Sequence, residues 1–159
     1  NMLFSRLLDA QTSEQVISAL NYYEETMGIE KFKELFGVIL TDNGSEFNDY
    51  ESIEFSPFTG ERRTRLFYCD PYRSDQKGTI ERKHVDMRLI IPKRKSIDFL
   101  TQKKVDLMNS HINAIIRPTL INKSSYDFSV FLHGPEIVRL LNITKILSKN
   151  VLLNPTLVK

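Results

Sequence analysis

The chain has 159 residues, of which 41% are hydrophobic and 26% charged, with a formal net charge of +2. That length and balance describe one ordinary globular domain with a real core, and no apolar run approaches the roughly 18–20 residues a membrane span requires. The single Cys69 excludes an internal disulfide framework and a cysteine-based zinc site, and it suits a reducing, cytoplasmic setting.

The opening "NMLFSRLL" has neither the long apolar region nor the small-residue cleavage site of a secretory signal. Within it, residues 3–8 read as a short strand. "TSEQVISALNYYEETMG" reads as a helix, with Thr12 and Gln15 at capping-box spacing, Val16, Leu20, Tyr23 and Met27 on one face, and Gly28 as its stop. "IEKFKELF" is a further helical piece ended by Gly37. "VILT" then predicts a buried central strand, by its shortness and β-branched content, and it delivers the chain to Asp42. After the turn-rich residues 56–65, "LFYC" is the next strand, followed by a loop at "YRSDQKG".

"TIERKHVDMRLII" is helical up to Pro92, with Ile80, His84, Met87 and Ile91 on one face, and "TQKKVDLMNSHINAII" is a helix with Val105, Met108, Ile112 and Ile115 as its core stripe. Residues 124–148 read as two shorter helices broken at Gly134-Pro135, and the tail as irregular. The order of elements is that of an α/β layout with few strands for its length.

Charge is unevenly spread. Residues 1–72 carry 6 Lys/Arg against 13 Asp/Glu, residues 73–95 carry 8 against 3, and residues 96–159 carry 8 against 4. A basic second half suggests a polyanion partner, nucleic acid first, although a solvated basic helix surface gives the same balance.

Two carboxylates carry the chemistry. Asp42 stands at the C-terminal end of a strand, and Glu81 opens a helix with 38 residues between them. Carboxylates converging from rigid elements hold one or two Mg²⁺ ions and so serve phosphodiester chemistry. Each also has a structural reading: Asp-Asn-Gly forms tight turns unaided, and a glutamate near a helix N-terminus is stabilised there. Lys77, Glu81 and Arg88 can share one helical face. Arg82, Lys83, Lys93, Arg94 and Lys95 add positive charge, and Tyr72 and Arg73 precede the helix where they could touch DNA. His84, His111 and His133 lack zinc spacing, and a partly buried, hydrogen-bonded role is expected for the two in helices. No nucleophile elbow and no Gly-rich phosphate loop occurs.

"LTDNGSEF" and "FYCDPYRSDQKGTIERKHVDMRLIIPK" resemble the integrase core of bacterial insertion-sequence transposases, most closely the insertion-sequence thirty family, and the resemblance extends through "LMNSHINAIIRPTLINKSSYDF". It implies a ribonuclease-H-like fold and an Asp-Asp-Glu site with two Mg²⁺ or Mn²⁺ ions. Asp42 matches the second Asp and Glu81 the Glu, as catalytic residues and metal ligands. Tyr72, Arg73, Lys77, Arg82, Lys83, Arg88, Lys93, Arg94 and Lys95 are the candidate DNA contacts. The implied partners are the element ends and target DNA in a bacterial cytoplasm.

The family's first Asp lies upstream of the strand matched by "LFSRLL", so the core is expected to lack its first two strands, with residues 1–95 as partial core and 96–159 as C-terminal helices and tail. Asp9 is a weak substitute, since "DAQTSEQV" reads better as turn and helix cap. The expectations are therefore a homo-oligomer, such as a strand-sharing dimer, and little or no activity by itself. The competing reading is a catalytically inactive DNA-binding or dimerising remnant. Arg82, Lys83 and "KSSYDF" depart from the family pattern.

Overall fold

The computed structural model describes residues 2–70 and 78–159, so the loop expected at "YRSDQKG" lies outside the described residues except for its Gly78, which already begins a helix. The chain divides into two compact units, one formed by Leu8–Gln76 and the other by Asn1–Leu7 with Lys77–Lys159. Helices and a few strands in small sheets agree with an α/β chain. No described helix is long and apolar enough to cross a membrane.

The Leu8–Gln76 unit begins with α1 (Ser13–Met27), α2 (Ile29–Phe36) and β1 (Val38–Thr41), and continues with α3 (Tyr50–Glu54) and β2 (Arg65–Tyr68). Thr12 caps α1 as its spacing predicts, its hydroxyl accepting from the Gln15 N–H at 3.4 Å. Gly28, at φ 79°, separates α1 from α2 in a left-handed conformation that costs glycine nothing. Gly37 closes α2 for a different reason: a Cβ there would stand 2.7 Å from the Lys33 carbonyl oxygen, so only glycine passes into β1 unstrained.

β1 and β2 pair in parallel, Val38 opposite Arg65 and Leu40 opposite Phe67, in a two-stranded sheet. The expectation of a buried strand is corrected here, because Val38 is 64% exposed and Leu40 48%. Those residues share one sheet face with Arg65 and Phe67, all exposed.

The core of this unit combines Phe32, Ile53 and Tyr23 with a fully buried ion pair. The Phe32 and Phe36 rings meet at a tilt of 47°, 4.9 Å between centroids. The Arg63 guanidinium donates to Glu24 Oε2 at 2.8 Å, Asn21 Oδ1 at 2.6 Å and the carbonyls of Ile53 at 2.9 Å and Ser52 at 2.8 Å. Its Cζ also lies 5.6 Å from the Phe32 ring centroid. Ser56 donates its hydroxyl to the other Glu24 oxygen. One arginine thus ties α1, α3 and the approach to β2.

The other unit holds α4 (Gly78–Ile90), α5 (Gln102–Asn113), the hairpin β3 (Ile116–Arg117) and β4 (Lys123–Ser124), then α6 (Ser125–His133) and α7 (Glu136–Leu140). Its main cluster is Leu3, Ile90, Leu100, Val105, Met108, Ile112 and Val158, so the Met108 stripe is core as expected. The tail is not simply irregular. It ends in a short 3₁₀ helix, Pro155–Val158, that seals the cluster.

Residues 3–8 form no strand. Their backbone is instead met by side-chain amides along α5. Asn113 Oδ1 accepts from the Leu3 N–H at 2.8 Å while its Nδ2 donates to the Leu3 carbonyl, and Gln102 Oε1 accepts from the Leu7 N–H at 2.8 Å. Gln102 and Asn109 both donate to the Ser5 carbonyl, at 3.1 and 3.4 Å. Residues 102, 109 and 113 recur on one helix face, so α5 supplies the hydrogen bonds that a neighbouring strand otherwise would.

His111 is buried, as expected, and its Nδ1 accepts from the Leu152 N–H at 3.0 Å. Burial holds its pKa below the usual 6.5. His84 is exposed, contrary to expectation.

Two predictions follow from these buried groups. Arg63→Met strands the Glu24 carboxylate, and chemical denaturation should show a loss of about 3–5 kcal/mol, partly recovered in the Glu24→Gln/Arg63→Met double variant. For His111, a lowered folded pKa means that the unfolded chain takes up the proton first, so its stabilising contribution is full above pH 6.5 and falls as pH drops below it. His111→Asn keeps an acceptor for Leu152, and melting curves on either side of that window should show a smaller acid-induced loss than the native chain.

Candidate active site

Asp42 is the first residue past β1, exposed, where the parallel pair ends; the Cys69 N–H still donates to the Thr41 carbonyl at 2.7 Å. The turn that follows is pinned by neighbours on both sides. Ser13 donates its hydroxyl to the Ser45 carbonyl at 3.2 Å, and the Tyr68 hydroxyl donates to the Phe47 carbonyl at 2.6 Å. Gln11 Nε2 donates to Glu46 Oε1 at 2.7 Å.

Glu46 is the residue that sequence reasoning left without a role. Its carboxylate folds against Gly44, 2.5 to 2.9 Å from where a Cβ would stand. Its Oε2 is buried with no hydrogen-bond partner among the described residues. A buried carboxylate oxygen without a donor is costly unless a cation or water supplies the missing contact. The turn thus places an exposed carboxylate, Asp42, four residues from a partly buried one in "DNGSE", the signal that could have flagged Glu46. Oxygen donors of this kind suit Mg²⁺ or Mn²⁺. Among the described residues, no group of three or more His, Cys, Asp or Glu side chains could hold a metal ion.

Glu81 lies in the first turn of α4, exposed, where the helix dipole favours a negative charge. Asp42 and Glu81 belong to different units. Asp9 lies in the bend before α1, as the turn-and-cap reading expects.

α4 sorts its charges onto two faces. Glu81, Arg82, His84 and Arg88 are exposed, whereas Lys83, Met87 and Ile90 turn inward. The inward stripe therefore replaces the expected one through Ile80 and His84, and Ile80 is 47% exposed. Lys83 is the correction among the proposed DNA contacts: it is 5% exposed, and its ammonium donates to Ser125 Oγ at 3.3 Å. Burial, aided by the Arg117 guanidinium, lowers its pKa to about 8. A lysine held inside the unit cannot meet a phosphate. Asp86 turns to Arg117, forming an ion pair that fixes β3 to the helix.

Arg82, Arg88, Lys93, Arg94 and Lys95 remain exposed. Arg88 and His84 also line a cavity of about 350 Å³ with Met87, Ile91 and Met108. Arg94 sits at φ 65° in the turn after Pro92, a left-handed conformation unfavourable to a side chain. Tyr72, Arg73 and Lys77 lie outside the described residues.

Two curated relatives were found. The transposase for insertion sequence element IS4351 of Bacteroides fragilis is 29% identical over 85 residues, 54% of this chain and 24% of that protein. The integrase ORF3 of Spiroplasma virus SpV1-R8A2 B is 29% identical over 82 residues, 52% of this chain and 24% of that protein. The matched stretch thus spans about a quarter of each relative. These names support a relationship to the transposase and integrase family. No protein-family model matches the chain, and no solved structure does.

The strain at Arg94 yields a test. Arg94→Gly should raise stability by up to about 1 kcal/mol in thermal melts, while Arg94→Lys leaves it nearly unchanged. An unchanged melting temperature in the glycine variant would show that the turn holds no such strain.

Proposed function

We propose that this chain is part of the catalytic core of a DNA transposase of the insertion-sequence thirty type, built on a ribonuclease-H-like sheet. The observation that carries the reading is Asp42 at the C-terminal end of a strand paired in parallel with its neighbour, where α/β sheets present their working side chains. The names of the two relatives support the same class.

In the whole protein, Asp42 and Glu81 would act with a further Asp to hold two Mg²⁺ or Mn²⁺ ions. Those ions would supply activation of water or a 3′-hydroxyl and stabilisation of the leaving oxygen at a phosphodiester. Arg82 and Arg88, on the exposed face that carries Glu81, would hold phosphates beside it. Lys93, Arg94 and Lys95 would extend that contact beyond the helix end. The partners are the element's ends and target DNA. A strand-sharing dimer would give β1 and β2 the further strand neighbours that a two-stranded sheet lacks.

The exposed cations of α4 and the turn after it also favour a second reading, since they would bind DNA whether or not the carboxylates act: an inactive DNA-binding remnant. The two separate on metal binding. Titrating Mn²⁺ and following the free ion by electron paramagnetic resonance should show binding that Asp42→Asn weakens by about tenfold or more, as expected when one of few ligands is lost. DNA binding that survives Asp42→Ala and Glu81→Ala, together with no Mn²⁺ uptake, would select the remnant. Absence of DNA binding at low salt would refute both.

A further inference from the structure

The cations of residues 96–159 are not equally engaged. Arg117 is paired with Asp86, Lys145 bridges to Asp127 at 3.1 Å, and Lys123 lies within electrostatic reach of the same Asp127. Lys103, Lys104 and Arg139 have no carboxylate partner among the described residues, and all three line one open groove of about 820 Å³ between α5 and α7. The one acidic side chain lining that groove, Asp106, already accepts from Gln102 Nε2 at 2.7 Å. Lys104 is held in place, its ammonium 3.4 Å from the Phe99 carbonyl and 5.2 Å from the Phe99 ring centroid.

The floor of the groove is apolar, with Leu107, Val138, Ile143 and Leu157, and polar groups stand among them. Thr101, Asn142 and Thr144 offer hydroxyl and amide groups of the kind that contact phosphate oxygens. Thr101 caps the twelve-residue α5, whose positive end adds to the cations in the same place. The groove shares no residue with α4 or the turn after it.

We propose that this groove is a second binding site for the phosphodiester backbone of DNA, separate from the surface beside Glu81. The inference rests on the reading of the chain as a DNA-processing protein and adds to it: one unit carries two backbone-binding surfaces and can hold two DNA segments at once. Contacts from lysine and arginine to phosphates carry no sequence information, so the groove binds DNA of any sequence.

The test is the salt dependence of binding to a fluorescent duplex oligonucleotide by the full chain. Each neutralised phosphate contributes about 0.9 to the slope of log affinity against log salt, so Lys103→Gln/Lys104→Gln/Arg139→Gln should lower that slope by about two to three. Lys103→Arg/Lys104→Arg should retain it, and unchanged melting curves show that the fold is intact. Should the triple variant unfold, single substitutions at the exposed Lys103 and Arg139 must each lower the slope by about one. Equal slopes in native and variant chains overturn the groove and leave the transposase reading standing. Loss of poly-glutamate binding in the variant with an unchanged DNA slope also overturns it, assigning the groove to an acidic protein. A native chain with no salt-sensitive DNA binding at all overturns both.

Discussion

A buried hydrogen-bonding group left without a partner is costly, and in this chain a few polar side chains meet most of that demand for each unit. Arg63 distributes its donors over a carboxylate, an amide and two backbone carbonyls, so that α1, α3 and the chain entering β2 meet at one point. Apolar contacts around Phe32 and Ile53 supply the burial, but the arginine sets their geometry. A charge removed from water is costly without its partners, so each member of this pair depends on the other staying in place. In the other unit the same demand is met by Gln102, Asn109 and Asn113, which let an extended segment lie along a helix without any strand beside it.

The division of charge on α4 follows from the same economy. Lys83 and Asp86 are drawn inward toward Ser125 and Arg117, and the polar residues left outside include Glu81, Arg82, His84 and Arg88. An acidic side chain beside cations on an exposed face is suited to a metal-assisted reaction on a polyanion. Asp42 reaches its position by another route, at the end of a strand whose following turn is braced by Ser13, Gln11 and Tyr68.

Much of this was legible in the sequence. The Thr12 cap, the glycine stop at Gly28, the short strand before Asp42 and the Met108 core stripe all obey local rules of spacing and turn chemistry, and the structure has them. What was not legible depends on distant partners. "LFSRLL" has the composition of a strand, and nothing local announces that α5 will satisfy its backbone with amides. Lys83 reads as a surface cation because its burial is decided by β3 and α6, far along the chain. The β3–β4 hairpin escaped notice because its turn uses Ile121 at φ 54° and Asn122 at φ 55°, and a β-branched residue is a poor signal for a left-handed turn. Glu46 was visible as a letter but not as a buried carboxylate.

The parallel pair β1–β2 has one further consequence. Its exposed face carries Val38, Leu40 and Phe67, and Arg65 is the single charge among those four neighbours. Apolar strands with an unpartnered edge stick to one another as protein concentration rises, and a lone cation on such a face acts as a gatekeeper against that adhesion. Salt screens Arg65, so raising the ionic strength weakens that gatekeeper and favours self-association through this face.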